Sequence, residues 1–136
     1  MTTLIIIRGV QNSGKTTIAR RILDDLQQYA TAIRYFDKNL NEVSIPILGK
    51  DVPIPDFYAV LTIWRQTFMI VSGGDSLEWV RRGIDLGWKM RVDGIVQCVR
   101  STIKPAMNYI KKNCKYMPKI EYKTRKYKSK QKRDAQ

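Results

Sequence analysis

The run Gly9-Val10-Gln11-Asn12-Ser13-Gly14-Lys15-Thr16 constrains this chain more than any other stretch, because of what stands on either side of it. Four aliphatic residues, Leu4 to Ile7, lead in, and a segment of helical period beginning at Thr17 follows. Strand, glycine-bounded loop and helix in that order, with G-x-x-x-x-G-K-T spacing, meet both the pattern and the context that give such a loop its chemistry. Its successive backbone N–H groups can wrap a di- or triphosphate, and the helix opening near Lys15 aims unpaired amides and its positive dipole end at the same anion. Gly9, Asn12, Ser13, Gly14, Lys15, Thr16 and Thr17 are therefore the candidate phosphate-binding residues. The Lys15 ammonium adds a full positive charge between the outer two phosphates, and the Thr16 hydroxyl is placed to ligate a nucleotide-bound magnesium. Along the helix, Ile18, Ile22, Leu26 and Tyr29 recur every three or four residues and predict one buried stripe. Arg20, Arg21, Asp24, Asp25, Gln27 and Gln28 fall largely on other faces.

Over Leu4 to about Tyr29 the chain resembles the P-loop NTPase superfamily, whose Walker A loop has this pattern, and its shortness makes it most similar to the compact nucleoside, nucleotide and polynucleotide kinases. The resemblance implies ATP or GTP as the bound nucleotide, magnesium as its metal, and phosphoryl transfer or hydrolysis as the activity, with Lys15 neutralising the migrating phosphoryl group. In small kinases of this kind a carboxylate after the second strand approaches the acceptor hydroxyl and takes its proton. By that resemblance Asp37 is a candidate general base, and its structural alternative is an aspartate opening the Asp37-Lys38-Asn39 turn.

Elsewhere the composition mainly excludes. A chain of 136 residues fits one domain with a moderate core, and 43% hydrophobic content suits a folded globular protein. No run approaches the roughly 18 apolar residues of a membrane span, and the N-terminal apolar stretch ends in Arg8 rather than a cleavage site, so a soluble, cytoplasmic protein without a membrane partner is expected. Histidine is absent, which removes every mechanism that needs an imidazole base or ligand. Cys98 and Cys114 lack the spacing of a zinc or redox pair and read as ordinary thiols. The net charge of +13 is concentrated at one end: from Lys104 onward twelve Lys and Arg face only Glu121 and Asp134, a net of +10, leaving +3 for the other 103 residues. This suggests residues 1–118 as the nucleotide-binding domain and 119–136 as a basic edge strand and tail, with Tyr122 and Tyr127 offering stacking surfaces to a nucleic acid partner.

The remaining periodicities predict strands at Thr31–Asp37, Thr67–Val71, Val92–Val99 and Lys119–Lys123, and helices at Ser76–Lys89 and Thr102–Cys114, the second with Pro105 in its first turn. The helix after Thr67–Val71 takes Asp75 or Ser76 as its cap and Leu77, Val80, Ile84 and Trp88 as its buried stripe, with Gly83 and Gly87 permitting close packing. Residues 38–56 read as a long loop with a short extended piece at Val43–Leu48. Phe57–Trp64 fits either a helix stripe or a β-rich strand; as a strand it turns at Arg65-Gln66 and makes a hairpin over residues 57–71. The three tryptophans, Trp64, Trp79 and Trp88, read as core, with Trp79 the one most able to leave the stripe. Together these elements predict a single-domain α/β P-loop fold with a mostly parallel central sheet and helices on both faces.

In such a sheet the ligand lies at the carboxyl ends of the strands, which selects the polar residues directly after them. Asp75 is the candidate acidic partner of the loop, holding magnesium through water, or else only a helix cap. It departs from the usual Walker B arrangement, since Ser72-Gly73-Gly74 separate it from the aliphatic run. Arg100, leaving the last central strand, is placed to clamp a phosphate bidentately or stack on a base, or else is a surface arginine. Residues 38–56 carry Lys38 and Lys50 but no arginine, unlike the lids of nucleoside monophosphate kinases. The alternative to phosphoryl transfer is a nucleotide-dependent binding protein that engages nucleic acid or a protein through its basic end.

Overall fold

A computed structural model describes residues 2–10, 14–47 and 52–124. Its elements follow in the order β1 (Thr3–Gly9), α1 (Lys15–Gln27), β2 (Ala32–Phe36), β3 (Glu42–Val43), β4 (Tyr58–Ile63), β5 (Gln66–Val71), α2 (Leu77–Lys89), β6 (Gly94–Arg100), α3 (Lys104–Asn113) and β7 (Lys119–Lys123). The strands make one sheet in the order β3-β2-β4-β5-β6-β1-β7. The chain is α/β, but the expected mostly parallel sheet is corrected to a mixed one: β5, β6, β1 and β7 run parallel, while β3–β2, β2–β4 and β4–β5 are antiparallel pairs. The reason is the connection between β4 and β5. Ile63 pairs with Gln66, so only Trp64 and Arg65 join the two strands, and a two-residue loop can link strands only in opposite directions. The turn thus comes one residue before the predicted Arg65-Gln66. Trp64 enters it at φ 60°, a left-handed conformation that glycine or asparagine usually supplies.

Alternation along the strands sorts the core into two layers. Leu4, Tyr58, Met69 and Ile95 face Val80 and Ile84 of α2 and Ala106 and Ile110 of α3. Ile7, Ala59, Ile70 and Cys98 face Ala19 and Leu23 of α1. Burying a side chain such as Leu23 stabilises the fold by about 2 kcal/mol.

The stripe predicted for α1 is corrected. Lys15, Ala19 and Leu23 are the buried row, whereas Ile18 is 37% and Tyr29 62% exposed and Ile22 and Leu26 are half-buried. Periodicity shows that a helix has an apolar side; it does not choose between two adjacent apolar rows, and the row with the small Ala19 allows the closer approach to the sheet. In α2 the buried row is Val80, Gly83, Ile84 and Gly87, and Trp88 is exposed. A Cβ on Gly83 would meet Gln97 Oε1 at 2.5 Å and one on Gly87 would meet Ile95 Cδ1 at 2.5 Å, so the two glycines set the helix directly on β5 and β6. Of the tryptophans only Trp79 packs, stacked on Tyr58 with ring centroids 4.7 Å apart; Trp64 is 89% exposed. The helix closes in a Schellman arrangement, Val92 N–H to Gly87 O at 3.1 Å and Arg91 N–H to Trp88 O at 3.1 Å, with Arg91 at φ 53° in the place glycine usually takes.

From β1 the chain crosses by α1 over one face toward β2, and from β6 it crosses by α3 over the other face to β7, beyond β1. The crevice outside the carboxyl ends of β1 and β6 is therefore a topological switch point, where ligands of open α/β sheets bind. Among the described residues no helix is long and apolar enough to cross a membrane.

Candidate functional site

At that switch point β1 ends in Gly9, whose carbonyl accepts the Ser101 N–H at 2.8 Å and so ties the start of the loop to the end of β6. Asn12 and Ser13, predicted phosphate contacts, lie outside the described residues. Gly14 precedes α1 at φ 91°, a conformation that strains any side chain, and among the described residues no side chain caps the helix, whose first amides are the groups an anion would meet. Lys15 is the first helical residue and only 7% exposed. Its ammonium folds back over the loop and donates to Val10 O at 2.7 Å. Burial pushes its pKa below the ordinary 10.5, and the charge of Asp75 works in the opposite direction.

Gly14, Lys15, Thr16 and Thr17 line one side of a pocket of about 380 Å³, and Ser72, Gly74 and Asp75 line the other. The structure thus brings Gly14, Lys15, Thr16 and Thr17 of the predicted residues together with Asp75 at one cavity, which Gly9 does not line. The cap of α2 is Ser76, whose hydroxyl accepts the Trp79 N–H, which leaves the Asp75 carboxylate without the capping task that was its structural alternative. Arg100 is not among the lining residues. Its N–H donates to Gly74 O at 2.8 Å, and its guanidinium lies near enough to Lys15 for its charge to favour the neutral amine.

Asp37 stands apart from this pocket, in the turn between β2 and β3. Its Oδ1 accepts the N–H groups of Asn41 at 3.0 Å and Asn39 at 2.9 Å, and these bonds, Asn41's foremost, hold its carboxyl below the usual range. That is the geometry of the aspartate turn.

The sequence reading passed over Asp56. Its Oδ1 accepts the hydroxyl of Thr16 at 3.1 Å and that of Ser72 at 3.1 Å, and the Ser72 hydroxyl in turn accepts the Phe57 N–H at 2.7 Å. Asp56 lies two residues before β4, with Phe57 between. In a parallel sheet the start of a strand is far from the ligand edge, but β4 runs antiparallel to β5 and puts its start beside the end of β5. The residues needed were those after parallel strands and before antiparallel ones.

Two hydroxyls and two carboxylates around one anion-facing helix end form an all-oxygen donor set, which fits a magnesium ion of the kind held by one or two protein carboxylates plus phosphate oxygens. Among the described residues no cluster of three or more acidic, cysteine or histidine side chains is gathered, here or elsewhere, so the site offers two carboxylates and relies on hydroxyl and phosphate oxygens for the rest. Beneath the site, Cys98 Sγ lies 3.5 Å from Lys15 O, and burial raises its thiol to about 12. At pH 8 roughly one molecule in ten thousand would then carry the thiolate. Iodoacetamide is therefore expected to leave Cys98 unmodified in the native protein and to alkylate it in denaturant; rapid native labelling on a peptide map would contradict this burial.

Compared with family models, with curated proteins and with solved structures, the chain matches none significantly.

Proposed function

We propose that the chain binds ATP or GTP with magnesium at the amino end of α1 and transfers or hydrolyses the terminal phosphoryl group. The observation that carries this reading is the convergence on one pocket of the amino end of α1, Lys15, Thr16, Ser72 and Asp75, with Asp56 behind the lining as the acceptor of both the Thr16 and the Ser72 hydroxyls. A polyphosphate entering there replaces the Val10 carbonyl as the partner of Lys15 and meets the free amides of α1. Bound magnesium would be held by Thr16 with Asp56 and Asp75, and it would neutralise charge between the outer phosphates. Asp56 orients the Thr16 hydroxyl. Asp75, on the opposite lip, is placed to hold an attacking hydroxyl or water by hydrogen bonding, and Arg100 adds positive charge behind Lys15.

The test is turnover: purified protein with magnesium and ATP or GTP, alone and with nucleosides, nucleotides or 5′-hydroxyl oligonucleotides. Release of phosphate or labelling of an acceptor supports the proposal. Nucleotide binding without either favours a nucleotide-dependent binding module working through the basic end, and no nucleotide binding removes both readings. Within this scheme Asp56→Asn is expected to weaken nucleotide binding about tenfold in magnesium and hardly at all in EDTA. Equal loss under both conditions, measured by calorimetry, would assign Asp56 to the fold instead.

A further inference from the structure

Alongside α1, away from the phosphate pocket, runs an apolar groove of about 800 Å³. Its wall is the row Ile18, Ile22 and Leu26, and its floor includes Ile5, Phe68 and Val96 from the sheet. Trp64 and Tyr122, 89% and 60% exposed, stand along it. On the opposite face two helices, α2 and α3, share one core against the sheet. On this face the described residues supply one, α1, and among the described residues no second helix covers the apolar sheet residues beside it.

We propose that this groove docks an amphipathic helix of an acidic protein partner. The lining offers almost no hydrogen-bonding groups, so an extended peptide lying in it would leave its backbone N–H and C=O groups unpaired, whereas a helix satisfies its own. Charge selects the flanks. The chain carries +13, and Arg21 and Arg65 are exposed next to groove residues, with Asp25 the acid beside them. A second copy brings the same +13 and is repelled. Residues 125–136 hold one large apolar side chain, Tyr127, among six Lys and Arg, a composition with little apolar surface to offer such a slot. An acidic helix gains both apolar burial and long-range attraction.

The probe is a labelled peptide of about 18 residues with leucine at i, i+3, i+4 and i+7 and glutamate on its other faces, titrated with the full chain by fluorescence anisotropy. It is expected to bind at least tenfold more tightly than a peptide of equal composition with the period broken, and than one with lysine for glutamate. Ile18→Glu and Trp64→Ser, both at exposed positions, are each expected to cost at least tenfold while circular dichroism and Tm stay unchanged. Equal binding of the broken-period peptide, or wild-type binding by both variants, would overturn the proposal. So would self-association in sedimentation, or binding to anionic vesicles, that these two substitutions abolish, since the groove would then belong to a second copy or to lipid.

Discussion

Lys15→Ala raises the dissociation constant for ATP or GTP by about 100-fold or more, the roughly 3 kcal/mol expected for deleting a charge-assisted contact from a largely desolvated site. The same substitution leaves the fold intact or firmer. Among the described residues the Lys15 ammonium donates to Val10 O, and its removal relieves the desolvation of a buried ammonium and puts a better helix former at the first position of α1. Binding lost with Tm unchanged or raised therefore separates a ligand-directed lysine from a structural one; equal affinity in the variant, measured by calorimetry, would end the nucleotide reading. The pH dependence carries a sign. Burial lowers the Lys15 pKa from 10.5, so between the lowered value and 10.5 the unfolded chain binds more protons than the native one and stability rises with pH. A polyphosphate restores the proton. Nucleotide affinity should accordingly fall as pH rises through the pKa of the free protein, and that fall should be absent in Lys15→Ala.

What could be read from residues alone follows from which forces are local. The strand ending at Gly9 and the opening of α1 at Lys15 were legible because an apolar run, a glycine and a helical period each signal within a few residues. Ser76, Pro105 and the edge strand Lys119–Lys123 were legible for the same reason. Strand direction was not. Tyr58–Ile63 is buried on both faces whichever way it runs, so its apolar run carries no orientation, and only the shortness of the Trp64-Arg65 turn decides it. That one undetermined direction hid Asp56, which antiparallel pairing brings to Thr16. The exposed Trp64 and Trp88 and the second apolar row of α1 were misread together, because burial was inferred from side-chain type before the layers were known. Of these, Ile18, Ile22, Leu26 and Trp64 line one groove beside α1, whereas Trp88 lies on α2 against the other face of the sheet.

Gly74→Ala lowers Tm by about 10 °C or prevents folding, as overpacking by about 3 kcal/mol against an immovable neighbour would in a domain of this size. A Cβ at Gly74 would press into the carbonyl of Cys98 and lie 2.7 Å from Val99 N, which are backbone atoms of the central strand β6 rather than the end of a flexible side chain. At Gly73 the neighbour is the Trp79 ring, which can give way only by disturbing its stack on Tyr58, so Gly73→Ala is also expected to destabilise, through a side chain and not through the backbone of β6. The close approach at Gly74 has a purpose in the site. Gly74 O accepts the Arg100 N–H at 2.8 Å, so the segment after β5 is stitched to the end of β6, and Ser72 and Asp75 are held facing Thr16 and Lys15. Any Gly74→Ala protein that does fold must move that segment outward, and its nucleotide affinity should then fall further than in Gly73→Ala. An unchanged Tm in a thermal melt would mean that β6 yields where its parallel neighbours β5 and β1 should hold it, and the account of how these two strand ends are clamped together would be wrong.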